Sequence, residues 1–212
     1  RLEGIEIPNP NHFSDLGGSG GGISMLHSNV LGTSDFYTAA FPPEMGNALG
    51  GVFDMKFRNG NTQKYEHSFQ LGALGTEVAS EGPFKKGGKA SYLFNYRYST
   101  LALIDEVVSF GGVLPKYQDA SIKINMPTEK AGTFALWGLG GYNNAYRDPE
   151  KDSTKWTDDE PNFALDERNT TGVAGLTHTY FVNKNSYIKT VLSASYEKSK
   201  ETFDTLNPSQ DY

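Results

Sequence analysis

From Lys89 to Ser99 the chain alternates strictly for eleven residues, KASYLFNYRYS. Ala90, Tyr92, Phe94, Tyr96 and Tyr98 fall on one side; Lys89, Ser91, Asn95, Arg97 and Ser99 make up most of the other. A period of two held for that long is the signature of a strand with two chemically distinct faces. Five more runs read the same way, less cleanly: Glu66 to Ser80, Tyr117 to Met126, Thr133 to Tyr142, Gly172 to Val182 and Tyr187 to Ser199. Most exceed the ~5 to 6 residues of an ordinary globular strand. With 24 glycines to turn the chain and 25 Tyr and Phe residues to fill pleated faces, the expectation is a mainly β body.

The N-terminal third lacks this rhythm. Ile5-Glu6-Ile7 reads as a short alternating strand stopped by Pro8 and Pro10, and Gly17 to Gly22 is nearly pure glycine. Ile23 to Leu31 reads as a short helix capped by Ser24 and ended by Gly32. Phe36 to Phe41 reads as a strand that Pro42-Pro43 must break, because proline fixes φ and removes a donor. Met45-Gly46-Asn47 continues the turn, and Gly50-Gly51 permits backbone approaches that a Cβ forbids. Val52 to Arg58 then alternates, with Phe53, Met55 and Phe57 on one face. Residues 1–62 are thus expected to form a small α+β unit, and residues 63–212 a set of about six long antiparallel strands.

The order of these features resembles a known family. An aromatic-Pro turn, a Gly-Asn pair, a Gly-Gly pair and an alternating strand ending in a basic residue, YTAAFPPEMGNALGGVFDMKFR, look like the end of the plug domain of TonB-dependent outer-membrane receptors. Upstream, LEGIEIPNPNHF resembles the plug segment "vDGvPi.Np.hf" of receptors of the Bacteroidetes type. The resemblance implies the later plug followed by the first strands of an incomplete transmembrane β-barrel in the outer membrane of a Gram-negative bacterium. It implies energised uptake of a nutrient through a barrel gated by its plug. The energy would come from a TonB-type coupling protein acting through a box that is not recognisable in this chain. Further implied partners are membrane lipid, a surface lipoprotein, and barrel strands lying on another chain or absent.

On that reading Pro42, Pro43, Gly46, Asn47, Gly50 and Gly51 form a plug turn against the inner wall. Asn95, Arg97 and Lys123 face the lumen and pair with plug carboxylates such as Glu44, while Tyr92, Phe94, Tyr96 and Tyr98 face lipid. Leu93, on the lumen side, is expected to tolerate lysine. Six strands occupy about 135 residues, whereas a plugged barrel of ~22 strands needs on the order of 500, so the strand set is expected to be truncated. Arg1 begins mid-pattern with no leader-like series, and both ends read as cut.

Connection lengths bear on orientation. Pro127 to Gly132 and Asn183 to Ser186 are tight, while Thr100 to Lys116 and Asn143 to Thr171 are long. Outer-membrane barrels keep short turns on the periplasmic rim and long loops outside. Counting six runs from a hand-over at the periplasmic rim puts the two tightest turns outside, against that habit.

Other functions find little purchase. A net charge of −6 argues against a nucleic-acid partner, and the absence of cysteine excludes a disulfide scaffold or thiolate metal site. No apolar run approaches the ~20 residues of a spanning helix. Gly17-Gly18-Ser19-Gly20-Gly21 formally matches a nucleophile elbow but lacks the strand and helix that motif requires. GPFKKGGK, from Gly82 to Lys89, misses the phosphate loop and reads as a turn with surface lysines. His12, His27, His67 and His178 lack metal-site spacing; His178, beside Leu176 and Tyr180, reads as structural or interfacial. The acidic stretch Arg147 to Arg168 holds eight carboxylates against four bases and reads as a solvated loop rather than a calcium site, with Trp156 and Phe163 as contact candidates. No enzyme, cofactor or metal is therefore expected. The alternative to a transporter is a soluble all-β binding or adhesion module with an exposed aromatic face.

Overall fold

The computed structural model describes residues 1–14, 20–38, 41–46, 48, 50–73, 75–100, 116–156 and 162–206. The protein is mainly β. Four short strands, β1 (Asn11–His12), β2 (Ile23–Ser24), β3 (Asp35–Tyr37) and β4 (Val52–Asp54), pair as β1–β2 and β3–β4 in the N-terminal unit. Seven strands follow: β5 (Glu66–Leu71), β6 (Gly75–Pro83), β7 (Ser91–Ser99), β8 (Lys116–Pro127), β9 (Thr133–Arg147), β10 (Phe163–Asn183) and β11 (Ser186–Thr205). They form one antiparallel meander in which every strand pairs with its sequence neighbours. A single 3-10 turn, Ser153–Lys155, precedes β10.

Two expectations are corrected. Ile23 to Leu31 is not a helix, because its backbone groups are claimed elsewhere. The Met25 N–H bonds Pro10 O, Arg97 takes the Ser24 carbonyl, and only one turn closes on His27 O, with Val30 N and Leu31 N at 3.2 Å. Likewise Ile5 to Ile7 is not a strand; Leu2 and Ile5 close a two-residue hairpin in which Glu3 and Gly4 both take positive φ, 55° and 94°. Glycine at the second position is what such a turn demands, whereas Glu3 at the first adopts a left-handed backbone at a cost.

The third difference concerns strand count. Glu66 to Ser80 is not one strand but the β5–β6 hairpin, turned at Gly72, whose N–H bonds the Gly75 carbonyl at 3.0 Å. Seven strands instead of six reverse the rim on which every later loop lies. The chain now leaves the N-terminal unit at Glu66 on the rim that carries connections 84–90, 128–132 and 184–185. The opposite rim carries 72–74 and the two long connections, 100–115 and 148–162. All long loops thus share one rim, and the chain enters the sheet at the other.

Burial follows the two-residue period. On β8 the pattern from Tyr117 to Asn125 alternates buried with more exposed residues without interruption. The buried face packs on the N-terminal unit: Leu93, Trp137, Leu139 and Val173 from the sheet meet Leu2, Met25, Val30 and Phe57. Leu93, only 2% exposed, belongs to this core, so the expectation that it tolerates lysine is overturned. The opposite face stays uncovered, with Leu136, Leu176, Ile188, Leu192 and Tyr196 between 38% and 65% exposed.

Glycine separates the two faces. A Cβ on Gly175 would sit 2.3 Å from the Trp137 ring, whereas one on Gly172 meets nothing nearer than 3.8 Å. Gly175→Val is therefore expected to cost ~1–3 kcal/mol by overpacking, and Gly172→Val less than ~0.5 kcal/mol, as for a surface change. The denaturation midpoint, followed by Trp137 fluorescence, checks both.

Candidate functional site

The candidate site is the charged seam where the N-terminal unit meets the sheet. Its first part grows from the Leu2–Ile5 hairpin, which aims Glu3 at β8. One carboxylate oxygen of Glu3 accepts from Lys123 Nζ at 2.8 Å and from the Phe57 N–H at 3.0 Å, and Lys123 also donates to Phe57 O at 2.7 Å. Both side chains are at least nine-tenths buried. Lys189 reaches the Glu3 carbonyl from β11 at 3.3 Å. A left-handed backbone at a non-glycine residue costs roughly 1–2 kcal/mol; here it places the Glu3 side chain on its partners.

The second part is a chain of buried side chains further along the sheet. His12 Nε2 lies 2.9 Å from Asp119 Oδ2, and His27 Nε2 lies 3.0 Å from Asp119 Oδ1. On its other side His27 Nδ1 meets Glu77 at 3.0 Å. Arg97 donates twice to Asp119, at 2.6 and 3.0 Å, and once to the Ser24 carbonyl. Glu77 also accepts from Asn95 Nδ2 at 2.6 Å and from Asn29. A carboxylate only accepts, so the His27 ring stands between two acceptors, one at each nitrogen. Arg97 sets a fixed positive charge against Asp119. Four elements of sequence, around residues 12, 27, 77–97 and 119, are joined by charge rather than by apolar contact.

The third part lies at the rim where the chain enters the sheet. Arg58 donates to both oxygens of Glu81, at 2.6 and 2.7 Å, and to Asn29 O at 2.6 Å. The Asn61 N–H adds a bond to Glu81 at 2.7 Å. Hydrogen bonding to Glu81 raises the Arg58 guanidinium further above its ordinary range, outweighing partial burial. Gly60 passes against the Tyr92 backbone so closely that a Cβ would fall 1.9 Å from Tyr92 O, which leaves room for glycine alone.

The expected residues divide. Asn95, Arg97 and Lys123 all stand on the face toward the N-terminal unit, but their partner carboxylates are Glu77, Asp119 and Glu3; Glu44 is exposed and contributes only its carbonyl, to Arg1. Tyr92, Phe94, Tyr96 and Tyr98 line the opposite face, with Phe94 exposed and the tyrosines half-buried. The Pro42-Pro43 turn closes through Met45 N to Pro42 O at 2.8 Å, yet Pro43, Glu44 and Gly46 stand exposed instead of pressed on the sheet. Gly51 makes the expected close approach, its Cβ position 3.0 Å from the Phe36 ring, whereas Gly46 and Gly50 have open space. Asn47 lies outside the described residues, as does Ser19 of the elbow-like motif.

Gly82 to Lys89 ends β6 and forms a turn with Lys85 and Lys86 exposed. His178 stacks on Phe134 at 4.3 Å and bonds the Ala131 carbonyl at 2.6 Å, contacts within the chain that fit a structural role. Among the described residues of the acidic stretch, Asp152 caps the 3-10 turn, Asp166 binds Arg168, Trp156 donates to Glu150 O, and Phe163 packs beneath Arg147. No group of His, Asp and Glu able to hold a metal occurs among the described residues. Sequence reasoning missed Glu3, His12, His27, Glu77 and Asp119 as one constellation, since nothing in their spacing joins residues 107 apart.

Comparison with known proteins adds no identity: no family description, curated protein or solved structure matches this chain.

Breaking one partner of a buried ion pair leaves the other uncompensated, at a cost of about 3–5 kcal/mol. Glu3→Gln and Lys123→Met are each expected to lose that much, and the double variant less than their sum. Limited proteolysis of the 58–66 junction, together with denaturation midpoints, measures the coupling.

Proposed function

We propose that this chain is the later plug and first wall strands of a TonB-dependent outer-membrane transporter. The observation that carries the reading is the uncovered face of the sheet. On β9, β10 and β11 the outward, mostly apolar band runs Phe134–Tyr142, Gly172–Tyr180 and Ile188–Tyr196, nine residues each, with His178 and Thr190 as its polar pair. At barrel tilt that spans roughly 20–25 Å, the height of a hydrocarbon-facing band. The band then gives way to Arg168 and Asp166 on β10 and to Lys198 and Lys200 on β11. A soluble sheet exposing so much contiguous apolar surface would aggregate.

Three further features support the reading. The inward face is occupied by a segment of the same chain, as a plug occupies its barrel. The two long connections lie on the rim opposite the hand-over, with the short 72–74 turn among them, and this supports a periplasmic hand-over rim. The sheet also ends in two open edges, β5 and β11, which further strands of a closed barrel would pair. The TonB-type energy partner, a surface lipoprotein, the outer-membrane location and the nutrient cargo rest on the sequence resemblance; the geometry names no ligand.

The seam suits a plug that must move. Charged and amide groups cost less to part in water than apolar ones, because water replaces the bonds they lose. Asn95 Oδ1, Ser91 Oγ and Ser121 Oγ, on the inward face, have no protein partner, so separation frees them to solvent.

A lysine at the middle of the hydrocarbon band costs ~2–4 kcal/mol. Leu192→Lys, on the outward face of β11, is therefore expected to lower membrane assembly sharply, while Ser195→Lys, on the inward face, is tolerated. Heat-modifiable gel migration of membrane fractions reads both. Equal tolerance of the two, with a protein monodisperse in the absence of detergent, favours the soluble binding module.

A further inference from the structure

The outward face is not uniform. Between Phe94 and Ile122 on one side and Tyr196 on the other lies an open apolar groove of about 500 Å³, floored by Gly138, Gly140, Gly172, Ala174 and Ala194. The floor glycines are not imposed by packing within the chain. A Cβ at Gly138, Gly140 or Gly172 would find no neighbour closer than 3.5 Å, whereas at the inward Gly75, Gly141 and Gly175 it would strike Arg97, His12 or Trp137 at 2.7 Å or less. Inward glycines admit the plug's partners; outward ones keep a channel open to whatever lies alongside.

Immediately above the groove the same face turns basic. Lys116, Asn144, Arg168 and Lys200 sit in register across β8 to β11, and Lys198 follows Tyr196 as the next outward residue, ~7 Å up the strand. Arg168 and Lys200 are directly opposite, a like-charge pairing that destabilises a sheet unless an anion relieves it. Asp166 binds Arg168, but among the described residues neither Lys198 nor Lys200 has an ion-pair partner. Glu197 and Glu201 point to the other face. In a chain of net charge −6 this outward row of bases is a local reversal of sign.

We infer that the groove and the row above it are one seat for a phosphorylated lipid of the outer leaflet, an acyl chain lying along the Gly138–Gly172–Ala194 floor and the phosphate held by Lys198 and Lys200. Charge decides the occupant: a zwitterionic headgroup would bring its own cation against the lysines, and a free phosphate would leave the groove unfilled. The inference rests on the membrane reading above.

The test is native mass spectrometry of the detergent-purified protein, titrated with phosphatidic acid or with phosphatidylcholine of the same acyl chains. The expected result is preferential retention of phosphatidic acid that inorganic phosphate does not displace. Lys198→Gln with Lys200→Gln should weaken phosphatidic acid roughly thirtyfold, from about a five- to sixfold loss per cation near a lipid phosphate, and leave phosphatidylcholine unchanged. Gly172→Val, which fills the floor without touching the backbone, should weaken both lipids. Equal retention of the two lipids by the unaltered protein, or displacement by inorganic phosphate, overturns the seat while leaving the membrane reading intact. Retention of neither, by a protein that stays monodisperse without detergent, overturns both.

Discussion

A sheet whose side chains alternate in character has two faces to satisfy, and in this protein a single carboxylate decides how the first is satisfied. Glu3 ties the Phe57 amide to Lys123, so that β8, the strand segment after β4 and the N-terminal hairpin share one ion. Remove that tie and the apolar contacts around Leu2, Phe57, Leu93 and Trp137 lose the bond that sets their register. The positive φ of Glu3 belongs to the same arrangement. Backbone strain of this kind persists where surrounding contacts over-determine it, and here they are the two bonds Glu3 receives and the buried lysine it neutralises.

The faces of the sheet were legible from the sequence because alternation is a local property. Tyr92, Phe94 and Asn95 needed only their neighbours to be assigned. The β5–β6 turn was not legible: Gly72 and Gly75 sit within a run whose flanks both read as strand, and nothing local distinguishes a two-strand hairpin from one long strand. That single omission inverted the rim of every later loop. The helix expected after Ile23 failed for a different reason. The periodicity fits a helix, but Arg97 and Pro10, from outside the segment, claim backbone groups that a helix would use. Leu93 shows a third kind of miss, since a face that reads polar by majority can still hold a residue on which the N-terminal unit packs.

The buried seam mixes two kinds of attachment with opposite consequences. Apolar residues at Leu2, Met25, Val30 and Phe57 hold the unit by excluding water, which favours contact whatever the alignment. The His12–Asp119–His27–Glu77 chain holds it by directed bonds that exist in one alignment only. Buried ion pairs add less to stability than their Coulomb attraction suggests, because desolvation opposes it, while a misaligned pair is heavily penalised. The seam therefore specifies position more than it adds strength. On the transporter reading proposed above, that is the balance a plug needs, held in one place at rest and still able to be drawn away.

The second face is left uncovered by the described chain, and the glycines record the difference. On the inward side a Cβ at Gly141 would strike both His12 and Met25 at 2.7 Å, so the residue is small because the N-terminal unit packs there. On the outward side a Cβ at Gly140, its immediate neighbour, would meet nothing of the described chain closer than 3.5 Å. Two adjacent glycines in one strand thus answer to different surroundings, one packed by the chain itself and one open. A sheet in water would gain by filling the outward position, since larger β-formers pack better on a half-buried face. On the membrane reading proposed above, the channel left open there is filled by a fluid, apolar neighbour, a condition that lipid meets and water does not.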